Sequence, residues 1–239
     1  MNNVGCVIIK NNMQIKKIAE IRNGFSDKFG IPRQSGLCDA VKSTIVFEQE
    51  YRVNEAFRGL EGFSHIWIIW QFSEAVREEW SPTVRPPRLG GNKRVGVFAT
   101  RSPFRPNSLG LSCVRLDSFE YTNSLGPVLH ISGADLMNGT PIFDIKPYIP
   151  YADSKPNATD GFLSLAPRIQ LSVDLDDCDI SGIEANVLEG IKEIIAEDPR
   201  PAYQNTADRI YKMLYSGYET EFTVENGKAR VIRIYKEKK

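Results

Sequence analysis

Short apolar stretches rich in Val, Ile, Phe and Trp, each closed by Gly, Pro or Asn, recur along the first 150 residues. Residues 4–9, 43–47, 65–72, 94–100, 109–119, 127–132 and 140–145 read as strands. No long segment of helical period alternates with them, which argues against a doubly wound parallel sheet. Seven or so short strands must hide their edges, so the expected class is mainly β, with a closed or nearly closed barrel or a sandwich at the N-terminal side.

The pattern changes near residues 150–164, where Tyr-Ala-Asp-Ser-Lys-Pro-Asn-Ala-Thr-Asp-Gly reads as a connector. Beyond it, Ile183, Val187, Leu188, Ile191, Ile194 and Ile195 fall at helical spacing, and Ser181 with Glu184 forms the pattern of a capping box. A second helix is expected over 205–215, then a hairpin of 219–224 and 229–235 across Asn226-Gly227. The chain thus divides into a β-barrel over 1–155 and a small α+β domain over 160–239.

Composition narrows the function classes. The 239 residues carry 30 Lys+Arg against 30 Asp+Glu, so the chain is not a polycation that coats nucleic acid indiscriminately. The strongest apolar run, residues 66–70, is far short of the roughly 18–20 residues of a membrane span, and the first ten residues lack the layout of a secretory signal. Cys6, Cys38, Cys113 and Cys178 are scattered, with only His65 and His130 besides. Neither a zinc site nor a disulfide framework is expected, and reduced cysteines fit a cytoplasmic protein. The charge is nevertheless segregated. Residues 80–116 hold seven basic residues (Arg85, Arg88, Lys93, Arg94, Arg101, Arg105, Arg115) and no acidic one, whereas 171–200 hold nine acidic and two basic. An anion-facing surface follows, able to grip phosphates or carboxylates, and Arg85, Arg88, Lys93, Arg94 and Arg105 would be the RNA contacts if the anion is a phosphate backbone.

Three segments carry candidate chemistry. Arg85-Pro-Pro-Arg88-Leu-Gly-Gly-Asn92 holds two guanidiniums on a stiff backbone before a flexible turn. In Ala99-Thr-Arg-Ser-Pro-Phe-Arg-Pro-Asn107, Arg101 and Arg105 sit in a Pro-broken loop, where guanidinium forks suit a carboxylate or a phosphate. In the segment from Asp135 to Tyr148, a tight turn at Asn138-Gly139 exposes backbone polar groups, and Asp144, Lys146 and Tyr148 alternate along one face of a strand. A carboxylate, an ammonium and a phenol can serve as acceptor, charge stabiliser and platform; a surface ion pair beside an ordinary Tyr has the same spacing. G-x-G-x-x-G, Walker A and G-x-S-x-G motifs are absent.

At these clusters the sequence resembles the TrmO/TsaA-like tRNA (adenine-37-N6)-methyltransferases. The matching stretches are Ile31-Pro-Arg-Gln-Ser-Gly36, Phe57-Arg-Gly-Leu-Glu-Gly-Phe-Ser-His-Ile-Trp67, Pro82-Thr-Val-Arg-Pro-Pro-Arg-Leu-Gly-Gly-Asn92, Gly96-Val-Phe-Ala-Thr-Arg-Ser-Pro-Phe-Arg-Pro-Asn107, Gly139-Thr-Pro-Ile-Phe-Asp-Ile-Lys-Pro-Tyr148 and Asp198-Pro-Arg-Pro-Ala-Tyr203. The resemblance implies a homodimeric, non-Rossmann β-barrel that takes S-adenosyl-L-methionine as methyl donor, needs no metal, and methylates N6 of threonylcarbamoyladenosine beside the anticodon of tRNA. It implies donor-binding roles for Pro32, Arg33, Gln34, Arg101, Leu111, Asn138, Gly139, Thr140 and Pro141, with Ser73 and Glu74 at a further donor-binding place. The family usually has Asp where Asn138 stands and His where Ser73 stands. For the reaction so implied, Asp144 or Asp135 would accept the N6 proton, with Lys146 and Tyr148 positioning the acceptor. Two other readings fit these residues: a non-catalytic RNA-binding barrel, and a methyltransferase with a different acceptor.

Overall fold

The computed structural model describes residues 14–76, 79–90, 93–165, 168–201, 206 and 209–237. The first part contains β1 (Ala19–Asn23), β2 (Lys42–Phe47), β3 (His65–Gln71), β4 (Thr83–Val84), β5 (Val95–Gly96), β6 (Leu109–Thr122), β7 (Gly126–Ser132) and β8 (Pro141–Pro147). Six of these close into an antiparallel barrel in the order β1-β2-β7-β6-β3-β8, while β4 and β5 form a two-stranded ribbon between β3 and β6. Closure removes the unpaired edges that so many short strands would otherwise present.

The period-2 pattern fixes which side faces in. Along β3, Ile66, Ile68 and Trp70 are buried, whereas His65, Trp67, Ile69 and Gln71 are only partly covered. Ile21, Ile45, Leu129, Ile131, Leu136 and Ile142 complete this core.

After a single-turn helix α1 (Pro150–Asp153), the chain forms β9 (Ser172–Asp174), helix α2 (Ala185–Ala196), β10 (Tyr211–Tyr215), β11 (Tyr218–Glu225) and β12 (Lys228–Lys236). These strands make a sheet of order β10-β11-β12-β9, in which β9 runs parallel to β12. Ile191, Ile194 and Ile195 of α2 share a second core with Met213, Tyr215 and Phe222. Phe25, Cys38 and Val41, from the loop between β1 and β2, belong to that second core too. Packing therefore ties the 24–41 loop to the C-terminal sheet, across more than 150 residues of sequence.

Several expectations need correction. Residues 211–215 are strand, not helix: Tyr211, Met213 and Tyr215 point inward at period 2, and β11 supplies the partner. Thr206, Arg209 and Ile210 are also non-helical, and the rest of 202–208 lies outside the described residues. The strand expected over 94–100 shrinks to β5 followed by a 3₁₀ turn (Val97–Ala99). The Arg105 guanidinium causes this by donating to the carbonyls of Val97 (3.2 Å) and Thr100 (2.7 Å), which curls the segment. The capping box does not form; Glu184 is the N-cap of α2 and makes no side-chain cap bond. Strands β1 and β9 were not expected, and each is short with few apolar residues. The strand expected over 4–9 falls outside the described residues. The hairpin across Asn226-Gly227 forms, with φ of 49° and 77° at the two turn residues.

Phe25 is wholly buried and its ring lies 5.1 Å from that of Tyr215. Phe25→Ala is expected to lower the unfolding free energy by about 3–5 kcal/mol in urea titration. A loss well under 1 kcal/mol would show that the loop is not packed into the second core.

Candidate active site

A cavity of about 600 Å³ opens at the barrel end where β3 finishes and β6 begins. Its walls come from four loops as well as from those strand ends: 28–34, 72–75, 101–105 and the connection from β7 to β8. A buried polar relay runs behind the wall between Trp70 and Asp135. Trp70 Nε1–H donates to Ser112 Oγ (2.9 Å), and the Ser112 hydroxyl donates to Asp135 Oδ1 (2.5 Å). Ala134 and Leu136 turn into the barrel core, which leaves the intervening Asp135 on the cavity wall. Burial holds the Asp135 carboxyl above the ordinary carboxylate range, against the Ser112 hydrogen bond and the positive charge of Arg101.

Gly110 makes this relay possible. A Cβ there would lie 2.2 Å from the Trp70 indole, so only glycine lets the ring reach Ser112.

The loop 31–35 forms a second wall. Arg33 Nη2 donates to the carbonyls of Asp198 (3.1 Å) and Arg200 (2.7 Å), so the guanidinium is tied to the turn that follows α2. That turn is itself braced: Asp198 has φ +49°, and its carboxylate takes two donations from Arg200, Nε at 2.7 Å and Nη2 at 2.9 Å. Arg101 Nη1 donates to Gln34 Oε1, joining the basic loop to this wall. Lys28 Nζ donates to the Glu74 carbonyl (2.8 Å) and joins the loop to the 3₁₀ turn Ser73–Ala75.

The sequence-predicted residues therefore separate. Pro32, Arg33, Gln34, Ser73, Glu74, Arg101, Arg105, Leu111, Asp135 and Thr140 line the cavity together. Asn138, Gly139 and Pro141 stand next to the wall and hold its backbone. Asn138 Oδ1 accepts the Asn23 N–H (3.0 Å), and Gly139 N–H donates to Ile21 O (2.8 Å). Accepting an N–H needs only an amide oxygen, so Asn serves at 138 in this role as well as Asp would. Asp144 and Lys146 are not on the cavity wall; they pair with each other at 2.9 Å on the outer side of β8. Tyr148 also lies off the wall, with its ring 5.9 Å from that of Trp67, which does line the cavity. Arg85 and Lys93 are exposed on the ribbon, and Arg94 Nη1 donates to Thr83 Oγ1 (3.0 Å) across it. The Arg88 side chain lies outside the described residues.

Sequence reading missed Lys28, Trp67, Trp70, Phe72, Gly110 and Met137 as wall residues. Trp67 and Trp70 looked like core strand residues, and nothing local marks Gly110 as the partner of an indole. Among the described residues, no helix is long and apolar enough to cross a membrane, and no group of three or more His, Cys, Asp or Glu could hold a metal.

The model of the tRNA-methyltransferase O N-terminal domain matches residues 20–154, and that of the TrmO C-terminal domain matches residues 171–237. The chain belongs to the tRNA-methyltransferase O family. It is 40% identical to the tRNA (adenine(37)-N6)-methyltransferase of Escherichia coli, over 81% of this chain and 85% of that one. Identity rises to 46% with the enzyme of the same name from Eikenella corrodens, over 71% of this chain and 95% of the other. A crystal structure of TrmO from Pseudomonas aeruginosa superposes with a TM-score of 0.75 at 32% identity, covering 94% of this chain and 97% of that one. A relative in the same species is named a putative S-adenosylmethionine-dependent methyltransferase and is 42% identical over 80% of this chain and 83% of its own.

For this member of the family, the folded protein keeps the Asp135 proton to higher pH than the unfolded chain does. Stability therefore falls as pH rises from the ordinary value of 3.8 through the raised one, and stays lower above it. Asp135→Asn, which still accepts from Ser112, is expected to match or exceed the wild type in stability at neutral pH, with a flatter pH dependence in urea unfolding. A variant clearly less stable at neutral pH would contradict this. Gly110→Ala is expected to cost about 1–3 kcal/mol by overpacking against Trp70 and to change the near-ultraviolet circular dichroism of the indole.

Proposed function

We propose that the protein methylates N6 of threonylcarbamoyladenosine at position 37 of tRNA, with S-adenosyl-L-methionine as the donor. The observation that carries the reading is the Asp135 carboxyl on the wall of a small-molecule-sized cavity, in a chain whose close relatives bear the adenine-37 methyltransferase name.

The cavity suits the donor. Trp67, Phe72 and Leu111 offer apolar surface for an adenine, Arg101 offers a cation for the amino-acid carboxylate, and Glu74 offers negative charge to a cationic sulfonium. When bound, S-adenosyl-L-methionine supplies a methyl group activated on that sulfonium. The protein's task is to hold the adenine N6 in line with it, to exclude water, and to take a proton. An Asp135 oxygen would take the proton that N6 gives up on methylation. Asp135 is preferred to Asp144 because only Asp135 faces the cavity, whereas Asp144 is paired with Lys146. Pro32, Arg33 and Gln34 shape the donor wall, and Asn138, Gly139, Thr140 and Pro141 hold the turn beside it. Tyr148 positions Trp67. The exposed Arg85, Lys93 and Arg94 supply phosphate contacts for the anticodon stem, whereas Arg105 uses its guanidinium to fold the basic loop.

The barrel unit over 1–155 carries the site and the unit over 160–239 braces it. The assembly is read as a homodimer: Tyr151, Leu165 and Ile169 in the connecting segment leave 89%, 72% and 72% of their surface exposed, and a second copy would cover them. The activity is read as cytoplasmic, where such an enzyme would meet its tRNA.

The test is methyl transfer from labelled S-adenosyl-L-methionine to tRNA with and without threonylcarbamoyladenosine. Incorporation is expected only into the modified tRNA; incorporation into both, or into neither, would overturn the acceptor. Asp135→Asn should lower turnover by about 100-fold or more while donor binding persists, with Asp144→Asn close to wild type. The reverse ranking would move the proton to Asp144.

A further inference from the structure

Trp80 and Phe98 face each other across the basic ribbon, with ring centroids 6.0 Å apart and planes within 23° of parallel. Both are exposed, Trp80 by 48% and Phe98 by 76%. Neither lines the cavity, and neither belongs to one of the two cores.

Their backbone is braced on both sides. Ser81 N–H donates to Phe104 O (3.1 Å), Val97 N–H donates to Pro82 O (3.0 Å), and Arg105 clasps the carbonyls of Val97 and Thr100. Phe104 and Arg101, one hydrogen bond or three residues away from the pair, are cavity wall. The aromatic faces are thus presented to solvent by a hydrogen-bonded scaffold continuous with the cavity wall, which keeps the entropy cost of using them low.

We propose that Trp80 and Phe98 are a stacking platform for an unpaired nucleotide of the anticodon loop that lies beside the target adenosine. The proposal rests on the tRNA reading above and adds a contact that reads unstacked bases rather than phosphates. Every base has a π-face, so aromatic side chains among Arg and Lys are the chemistry that holds single-stranded RNA. Charge favours RNA over a second copy of the chain. Arg85, Lys93 and Arg94 are exposed on the same ribbon, and a two-fold contact would press these cations against their own copies.

The test measures binding of a labelled anticodon stem-loop by anisotropy for wild type, Trp80→Ala, Phe98→Ala and Trp80→Phe. Each alanine variant is expected to bind about 5- to 150-fold more weakly, which corresponds to ~1–3 kcal/mol per stacked base. Trp80→Phe should retain most of the affinity. The loss should be the same at low and high salt, because no charge is removed. Donor binding by calorimetry and sedimentation state should not change. Alanine variants that bind RNA like the wild type would overturn the platform, and a shift in sedimentation would assign the pair to contact with a second copy instead. Wild-type protein that fails to bind the stem-loop at all would overturn the tRNA reading, and the platform with it.

Discussion

The loop between β1 and β2 has no regular hydrogen-bonded structure of its own over residues 24–41, so its shape has to come from what it packs against. One side is fixed by the C-terminal unit. Phe25, Cys38 and Val41 enter its core, Ser216 N–H donates to Gly24 O, and Glu193 of α2 accepts the Ala40 N–H. Gly30, at φ +100°, lies so close to Met213 that a Cβ would meet its side chain at 2.8 Å. The other side is fixed by the barrel, where Cys113 N–H donates to Ser35 Oγ and Gly36 N–H donates to Gly133 O. Pro32, Arg33 and Gln34 lie between these two sets of contacts, and their position on the cavity wall follows from both.

The relay from Trp70 through Ser112 to Asp135 shows the conflict that a reactive site imposes on a fold. A carboxyl placed between two core residues, with one hydroxyl donor and a nearby guanidinium, is less comfortable ionised than it would be in water. The core that flanks it holds Ile66, Ile68 and Trp70 of β3 and Val114 of β6. The same environment makes Asp135 a better proton acceptor than a solvated carboxylate, since basicity rises with pKa.

Much of the barrel was legible in the sequence because strands declare themselves locally, by alternation and by the turn residues that bound them. Strands β2, β3, β7 and β8 lie close to where the pattern put them, and β6 runs a few residues longer. The tRNA-methyltransferase O motifs brought the wall residues near one another on paper. Alternation cannot show which long-range partner a polar side chain finds. Arg105 reads as an RNA ligand until its guanidinium is seen on two carbonyls of its own loop. Asp144 and Asp135 are equivalent in composition, and only the topology puts one in the cavity and the other beside Lys146. Residues 211–215 carry both helical and alternating patterns, and the open edge of β11 decides between them.

The bond between Arg33 and the turn at Asp198 and Arg200 crosses from one unit to the other, and so does the core that holds Phe25. The covalent seam at the connector is therefore not the mechanical seam of the molecule. A protease cut within 155–170 would leave two pieces still clasped around the 24–41 loop, and grafting a different C-terminal unit onto this barrel would mean re-cutting that loop as well.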